Sequence, residues 1–223
     1  MIKNIKLFNF QGVANCKDIN RQSTESFLKI NYLFESGNSY GLISDFGLGS
    51  WGLATAIGGR CAPDYSGNIF IDGNKVTISD MSKVSCFVRE NLFEGINSEQ
   101  DLMSPKKCIE NALDISHLDF SFTQIKKMFF LSDERFEKNL SLSSGEIWTI
   151  SIAVNFALGK DVFIYPWLNV LDFDVYDIHC KLGIIDLLKR YGKIVIAPSS
   201  QDKRIKKLCD HKIVFKREKY LFK

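Results

Sequence analysis

An α/β fold built on a largely parallel sheet is what the chain predicts, on three observations. A short apolar run at 40–43 enters a glycine-rich turn at 44–50, and Leu53, Ala54 and Ile57 then carry helical spacing. Buried-type strands at 161–165 and 193–197 alternate with helical stretches at 172–191 and 203–209. Between about 93 and 140, strand signals stop and amphipathic helical stretches replace them. Strand, glycine turn and helix, followed by strand–helix–strand units, is the pattern of a parallel sheet covered by helices. The middle segment reads as a helical lobe.

The elements follow in order. Apolar alternation at 2–10 and 28–34 marks two early strands. The runs 68–71 and 75–78 flank Asp72-Gly73, a strong signal for a tight hairpin, and 84–88 reads as a further strand. Helical periodicity appears at 107–113 and 123–131, and 146–158 is a strongly apolar helix. The stretch 172–191 reads as one long helix, weakened at Gly183. At the end, 211–215 and 220–222 are expected to pair as a hairpin. Neither an internal repeat nor a low-complexity linker is visible. The organisation expected is one domain over 1–223 with a helical subdomain at 93–145.

Composition narrows the function classes. Hydrophobic residues make up 45% and charged residues 25%, with 18 Phe, so a substantial core is available. A net charge of +3 is too small to indicate nucleic acid, and none is expected as a partner. The six cysteines at 16, 61, 86, 108, 180 and 209 form no C-x-x-C pair, and with three His they make a zinc site an unsuitable reading. They read as reduced, structural thiols of a cytosolic protein. The N-terminus lacks a secretory apolar core, and no apolar run approaches the ~20 residues that cross a bilayer. A membrane role is therefore expected to be peripheral, through a partner. Basic residues cluster at 203–223. They read as a solvated face, or alternatively as a contact with anionic lipid; nothing there suggests RNA stacking.

The glycine turn carries the first functional signal. Where a strand, a glycine turn and a helix N-terminus meet, backbone N–H groups converge and the helix dipole adds positive potential, which makes a phosphate cradle. A working P-loop reads G-x-x-x-x-G-K-[ST], its Lys meeting the β- and γ-phosphates and its hydroxyl holding Mg²⁺. Here Gly47 and Gly49 fit that frame. Ser44 stands at the first glycine, Ser50 at the lysine and Trp51 at the magnesium-holding hydroxyl. Taken alone, the segment also reads as a plain structural turn, and Trp51 either fills the phosphate space or packs into the core.

The ordered set of segments around it resembles the ATP-binding subunit of an ABC transporter. After the turn come Ile57-Gly58-Gly59 and then Pro63, Gly67, Ile69, Ile71 and Gly73, similar to that family's I-x-G and P-x-x-G segments. Leu142-Ser143-Ser144-Gly145-Glu146 looks like the L-S-G-G-Q signature, preceded by a similar lead-in at 131–140. Asn169-Val170-Leu171-Asp172 looks like the D-loop, and 192–202 like the strand and switch that normally end in His-Asp. Order and approximate spacing match over about 25–215. The resemblance implies a P-loop NTPase-like ABC ATPase fold: a mixed sheet core with an N-terminal antiparallel part and a helical lobe.

It also implies losses. Phosphoryl transfer is catalysed by positioning and charge stabilisation, so missing charges matter most. Where the family has an acidic pair after a hydrophobic strand, this chain has Tyr165 and Pro166, or Pro166 and Trp167 on ungapped alignment from the signature. The switch histidine aligns with Gln201 and the magnesium-sensing glutamine with Arg89. Charge-assisted hydrogen bonds contribute about 1.5–3 kcal/mol each. Loss of the lysine, the metal and its carboxylate is therefore expected to remove most ATP affinity and nearly all turnover at this site, and Mg²⁺ is not expected there. Arg89 in the lysine's place is the alternative that would keep activity.

The signature segment is better kept. In the family, two nucleotide-binding domains meet head to tail and each signature loop caps ATP held by the other. The resemblance therefore implies that Ser143, Ser144, Gly145 and Glu146 reach a partner's ATP. On the residues alone the same segment also reads as an N-cap for the helix that follows. The partners implied are a homologous ATP-binding subunit and a membrane-spanning subunit, in an exporter-type transporter. A soluble pseudo-ATPase scaffold is the alternative. A serine hydrolase is disfavoured, because no G-x-S-x-G elbow occurs and His117, His179 and His211 lie in ordinary contexts.

Overall fold

Two sheets divide the strands between them. The structure is a computed structural model and describes residues 1–17, 21–60, 65–88, 103–133, 137, 146–179 and 183–215. Strands β1 (Asn4–Lys17) and β2 (Gln22–Glu35) form a long antiparallel hairpin. Strand β3 (Ser39–Ile43) then leads into helix α1 (Ser50–Ile57). Strands β4 (Tyr65–Ile71) and β5 (Asn74–Val76) add to the hairpin, so that the first sheet runs β2-β1-β4-β5, all antiparallel.

The second sheet is wholly parallel. Helix α2 (Ile78–Val84) precedes β6 (Ser85–Phe87), and α3 (Pro105–Ser116), α4 (Phe122–Met128) and α5 (Ile147–Ala157) precede β7 (Val162–Ile164). Then come α6 (Val170–His179), α7 (Gly183–Arg190), β8 (Ile194–Ser199), α8 (Asp202–Leu208) and β9 (His211–Val214). The order is β6-β7-β8-β3-β9. This sheet is the middle layer of the molecule. Alternation along each strand sends Val162, Ile164, Ile194 and Ile196 to one core, shared with α1 and the antiparallel sheet. It sends Phe163, Tyr165, Val195 and Ala197 to the other, shared with α3, α4, α5 and α7. Burial on both faces is why these strands read as continuous apolar runs.

Two expectations are corrected, and two others run into residues that are not described. The early strands are longer than their apolar alternation, because pairing of 12–17 with 22–27 continues through polar residues beyond irregularities at Leu7/Phe10 and Phe10/Gly12. The segment 77–78 leaves the hairpin: Thr77 and Asp80 form a reciprocal capping box that starts α2. The helix expected over 172–191 is seen as α6 up to His179 and α7 from Gly183, with 180–182 outside the described residues. The run at 211–214 pairs in parallel with β3, with Ile213 packed on the apolar surface of the sheet edge; the expected hairpin partner at 220–222 lies outside the described residues.

Candidate functional site

Strand β3 ends at Ile43, and the chain turns through 44–49 into α1. Gly47 has φ 84° and Gly49 has φ 97°, a left-handed geometry that residues with a Cβ rarely adopt. Gly49 is the N-cap of α1 and offers no side chain to cap it. The free N–H groups of this turn nevertheless have an acceptor. The Glu25 carboxylate, arriving from β2, accepts from Gly47 N at 2.8 Å through Oε1, and from Gly49 N at 3.1 Å and Gly52 N at 2.9 Å through Oε2. Glu25 is 0% exposed. Its inward position follows from the register of β2, where Glu25 and Phe27 are buried and Thr24, Ser26 and Leu28 are exposed.

Around this contact the turn is packed shut. Ser50 is 0% exposed, and its hydroxyl shares a 2.6 Å hydrogen bond with that of Ser44. Trp51 is buried and packs in the core between the two sheets. Phe46 is exposed; its ring lies 5.8 Å from that of Trp51 and meets that of Trp167 edge-on at 5.1 Å. Beside the turn, a cavity of about 480 Å³ is lined by Ser44, Asp45, Phe46, Leu48, Ser200 and Phe215, among others.

The end of β7 carries no charge. Tyr165 is fully buried against Trp148, Pro166 is buried, and Trp167 is buried with its indole N–H unpaired. Either alignment of the acidic pair therefore falls on core residues. Asp172 works locally: with Asn169 it forms a reciprocal cap at the start of α6, Asn169 N to Asp172 Oδ2 at 3.0 Å and Asp172 N to Asn169 Oδ1 at 2.9 Å. Arg21 adds a 2.8 Å ion pair to Asp172 and lies 5.6 Å over the Trp167 ring. Arg21 thus joins the β1–β2 hairpin to the segment after β7. Gln201 lies at the start of α8, where its N–H donates to Ser199 Oγ at 2.9 Å and its amide to Ser200 Oγ at 3.1 Å.

Of the signature segment, Ser143, Ser144 and Gly145 lie outside the described residues, as does Arg89. Glu146 is the N-cap residue of α5, but its side chain makes no cap; it accepts instead from Ser132 Oγ at 3.0 Å. The structure thus brings the turn residues Ser44, Gly47, Gly49, Ser50 and Trp51 together. Asp172 is linked to that cluster through Arg21, Trp167 and Phe46. Glu25 and Arg21 were not among the residues singled out from sequence. The available signal was a carboxylate at an inward position of an alternating strand. Burial pushes the Cys86 thiol up strongly and that of Cys108 to about 12. At Cys209 burial, then the neighbouring Asp210 charge, does the same, also to about 12.

A parallel sheet between helices, with a glycine turn after β3, defines an α/β fold of the P-loop NTPase kind. More narrowly, it is the fold of ABC transporter ATP-binding subunits. The cbiO1 protein of Clostridium perfringens, part of the ABC transporter complex cbiONQ, matches with a TM-score of 0.65 at 15% identity, over 94% of this chain and 85% of its own. The ATP-binding cassette MJ0796, in a dimeric post-hydrolysis state bound to ADP and Pi, matches with a TM-score of 0.63 at 15% identity, over 95% and 94%. A bacterial Atm1-family ABC exporter with ATP bound matches with a TM-score of 0.59 at 14% identity, over 96% of this chain and 37% of that one. No protein-family model and no curated protein matches the chain by sequence. Among the described residues, no helix is long and apolar enough to cross a membrane.

Proposed function

We propose that the chain is an ABC transporter subunit that does not hydrolyse ATP in its own site and instead completes the site of a partner. The observation that carries this is the burial of the lysine position. Ser50 is fully enclosed and hydrogen-bonded to Ser44. The residues present do not fit a magnesium nucleotide: its metal would meet Trp51, and Tyr165, Pro166 and Trp167 offer no carboxylate. ATP is then held mainly by a homologous subunit. Ser143, Ser144, Gly145 and Glu146 supply the hydroxyls and close backbone approach that face its γ-phosphate. Both would lie on the cytoplasmic face of a membrane-spanning subunit, in an assembly of exporter type. The partnership of cbiO1 with a transporter complex and the dimeric state of MJ0796 are consistent with such an arrangement.

The test is to purify the tagged chain in mild detergent and identify what accompanies it. A membrane protein with a homologous subunit that keeps its P-loop lysine is expected. In that complex, Gly145→Asp should abolish ATPase activity and Ser50→Ala should leave it unchanged. Recovery without any membrane protein would favour a soluble scaffold instead, and full turnover in the Gly145→Asp complex would rule out the loan of the signature loop.

A further inference from the structure

We infer that Glu25 is the permanent occupant of the phosphate cradle, so that this chain's own site is closed to nucleotide and not merely unable to hydrolyse it. The inference rests on reading the 44–49 turn as a P-loop. It goes beyond that reading by naming the group that fills it.

A phosphate is held in such a turn by converging backbone N–H donors at a helix N-terminus. Both oxygens of the Glu25 carboxylate are engaged by such donors, three of them at 2.8–3.1 Å. Charge-assisted N–H···O contacts of this length are among the stronger hydrogen bonds in proteins. The carboxylate is 0% exposed, and among the described residues no cation pairs with it. A buried charge without a counter-charge is tolerated only where hydrogen bonds and dipoles compensate it. Here the glycine N–H groups and the N-terminus of α1 do so. Donors and carboxylate therefore require one another: among the described residues neither has another partner.

The packing around the contact makes the occupant fixed rather than exchangeable. A Cβ placed on Gly49 would stand 2.6 Å from the Ser26 carbonyl oxygen and 3.2 Å from Phe27 Cα, and one on Gly52 would stand 3.0 Å from Glu25 Cβ. The backbone of β2 thus lies directly on the turn. That strand is held in turn by its pairing with β1, including Asn15↔Thr24, Ala14↔Glu25 and Val13↔Ser26. A phosphate group entering the cradle would have to expel Glu25 and lift this part of the hairpin with it.

Amide NMR of the purified, isotope-labelled chain, titrated with inorganic tripolyphosphate and separately with MgATP, tests this without any partner subunit. The Gly47, Gly49 and Gly52 amides of the wild-type protein are expected not to move at millimolar ligand. In Glu25→Ser, the same amides are expected to titrate, with affinity for tripolyphosphate raised at least about tenfold. Glu25→Gln keeps the side chain's size, so it serves if the serine variant does not fold. Its amide group turns a donor toward at least one glycine N–H, so those amides should shift and bind tripolyphosphate more tightly than wild type. Titration of the three glycines in the wild-type protein would overturn the inference, since the carboxylate would then be displaceable. A folded Glu25→Ser or Glu25→Gln protein that stays silent would also overturn it, since something other than Glu25 would close the cradle. None of these outcomes depends on whether the signature segment serves a partner; that is decided by the ATPase activity of the Gly145→Asp complex.

Discussion

Replacing Asp161 with Ala should destabilise the protein by about 4 kcal/mol, through a pair buried where the two sheets meet. Asp161 precedes β7 and is 8% exposed; Lys193 precedes β8 and is 7% exposed. Their side chains meet at 2.7 Å, and the second Asp161 oxygen accepts from Ile2 N at 3.1 Å. The ammonium also lies 5.5 Å from the Phe156 ring. Removing one member of a buried pair leaves the other charged and enclosed, which costs about 3–5 kcal/mol. The lost Ile2 hydrogen bond adds about 1 kcal/mol, partly offset by water entering the space. With a urea slope of about 2 kcal/mol/M, the unfolding midpoint should fall by about 2 M. Lys193→Met leaves the carboxylate with only the Ile2 N–H and should lose about 3 kcal/mol. The double variant should lose little more than Asp161→Ala alone, so the coupling should exceed about 2 kcal/mol. Urea unfolding followed by far-ultraviolet circular dichroism and by tryptophan fluorescence measures all four proteins. A loss below about 1 kcal/mol for Asp161→Ala, or additive single losses, would refute the argument by showing that the pair behaves as an exposed one.

Two further perturbations bear on the edge of the parallel sheet and on the cradle. Burial opposes ionisation of Asp210, but the Lys189 ammonium and the Ser39 N–H and hydroxyl outweigh it and hold its carboxyl below the usual range near 3.8. A carboxyl depressed in the native state stabilises at pH values above its unfolded pKa, and the contribution is lost as pH falls through the native pKa. Urea midpoints measured from neutral pH down to pH ~2 should therefore fall more gently in Asp210→Asn than in wild type, and parallel curves would exclude this role. At the turn, Gly47→Ala meets nothing within 4 Å and bears only the strain of φ 84°, whereas Gly49→Ala has φ 97° and drives its Cβ to 2.6 Å from the Ser26 carbonyl. The left-handed conformation costs about 1–2 kcal/mol in both, and overpacking adds about 1–3 kcal/mol in the second. Equal losses in thermal or urea unfolding would mean that β2 does not press on the turn.

What could be read from the sequence was what depends on local pattern. The runs at 162–164 and 194–197 are apolar at every position because both faces of the parallel sheet are covered, and they were legible as buried strands. Helices α3 and α5 were legible from periodicity and from an apolar run. The ends of β1 and β2 were not, because Gln22, Ser23 and Thr24 are held by pairing across the hairpin and not by their own apolar content. The site divides in the same way. Gly47, Gly49, Ser50 and Trp51 lie close together in the chain and stood out together. Glu25 lies 24 positions before Gly49 and reaches it only through the fold. In the sequence it is one carboxylate among polar neighbours. Its meaning depends on which face of β2 turns inward, and alternation with Phe27 gives that face only once the strand is known to extend so far.

The Glu25 contact also accounts for the N–H groups of the turn within the chain itself. A strand–glycine–helix turn leaves N–H groups pointing into one small volume, and each buried donor left unpaired costs about 1–3 kcal/mol. In a nucleotide-binding protein, ligand phosphates and water share that task. Here Gly47, Gly49 and Gly52 donate to a residue of the same chain. The Ser44–Ser50 hydrogen bond likewise satisfies the positions next to them internally. Substituting Ser50 by Lys alone would therefore not restore a phosphate site. The new ammonium would enter a fully enclosed position beside a cradle that Glu25 already fills. Opening the site requires removing Glu25 first, so the order in which the two substitutions are made decides whether a gain in phosphate binding is seen at the intermediate step.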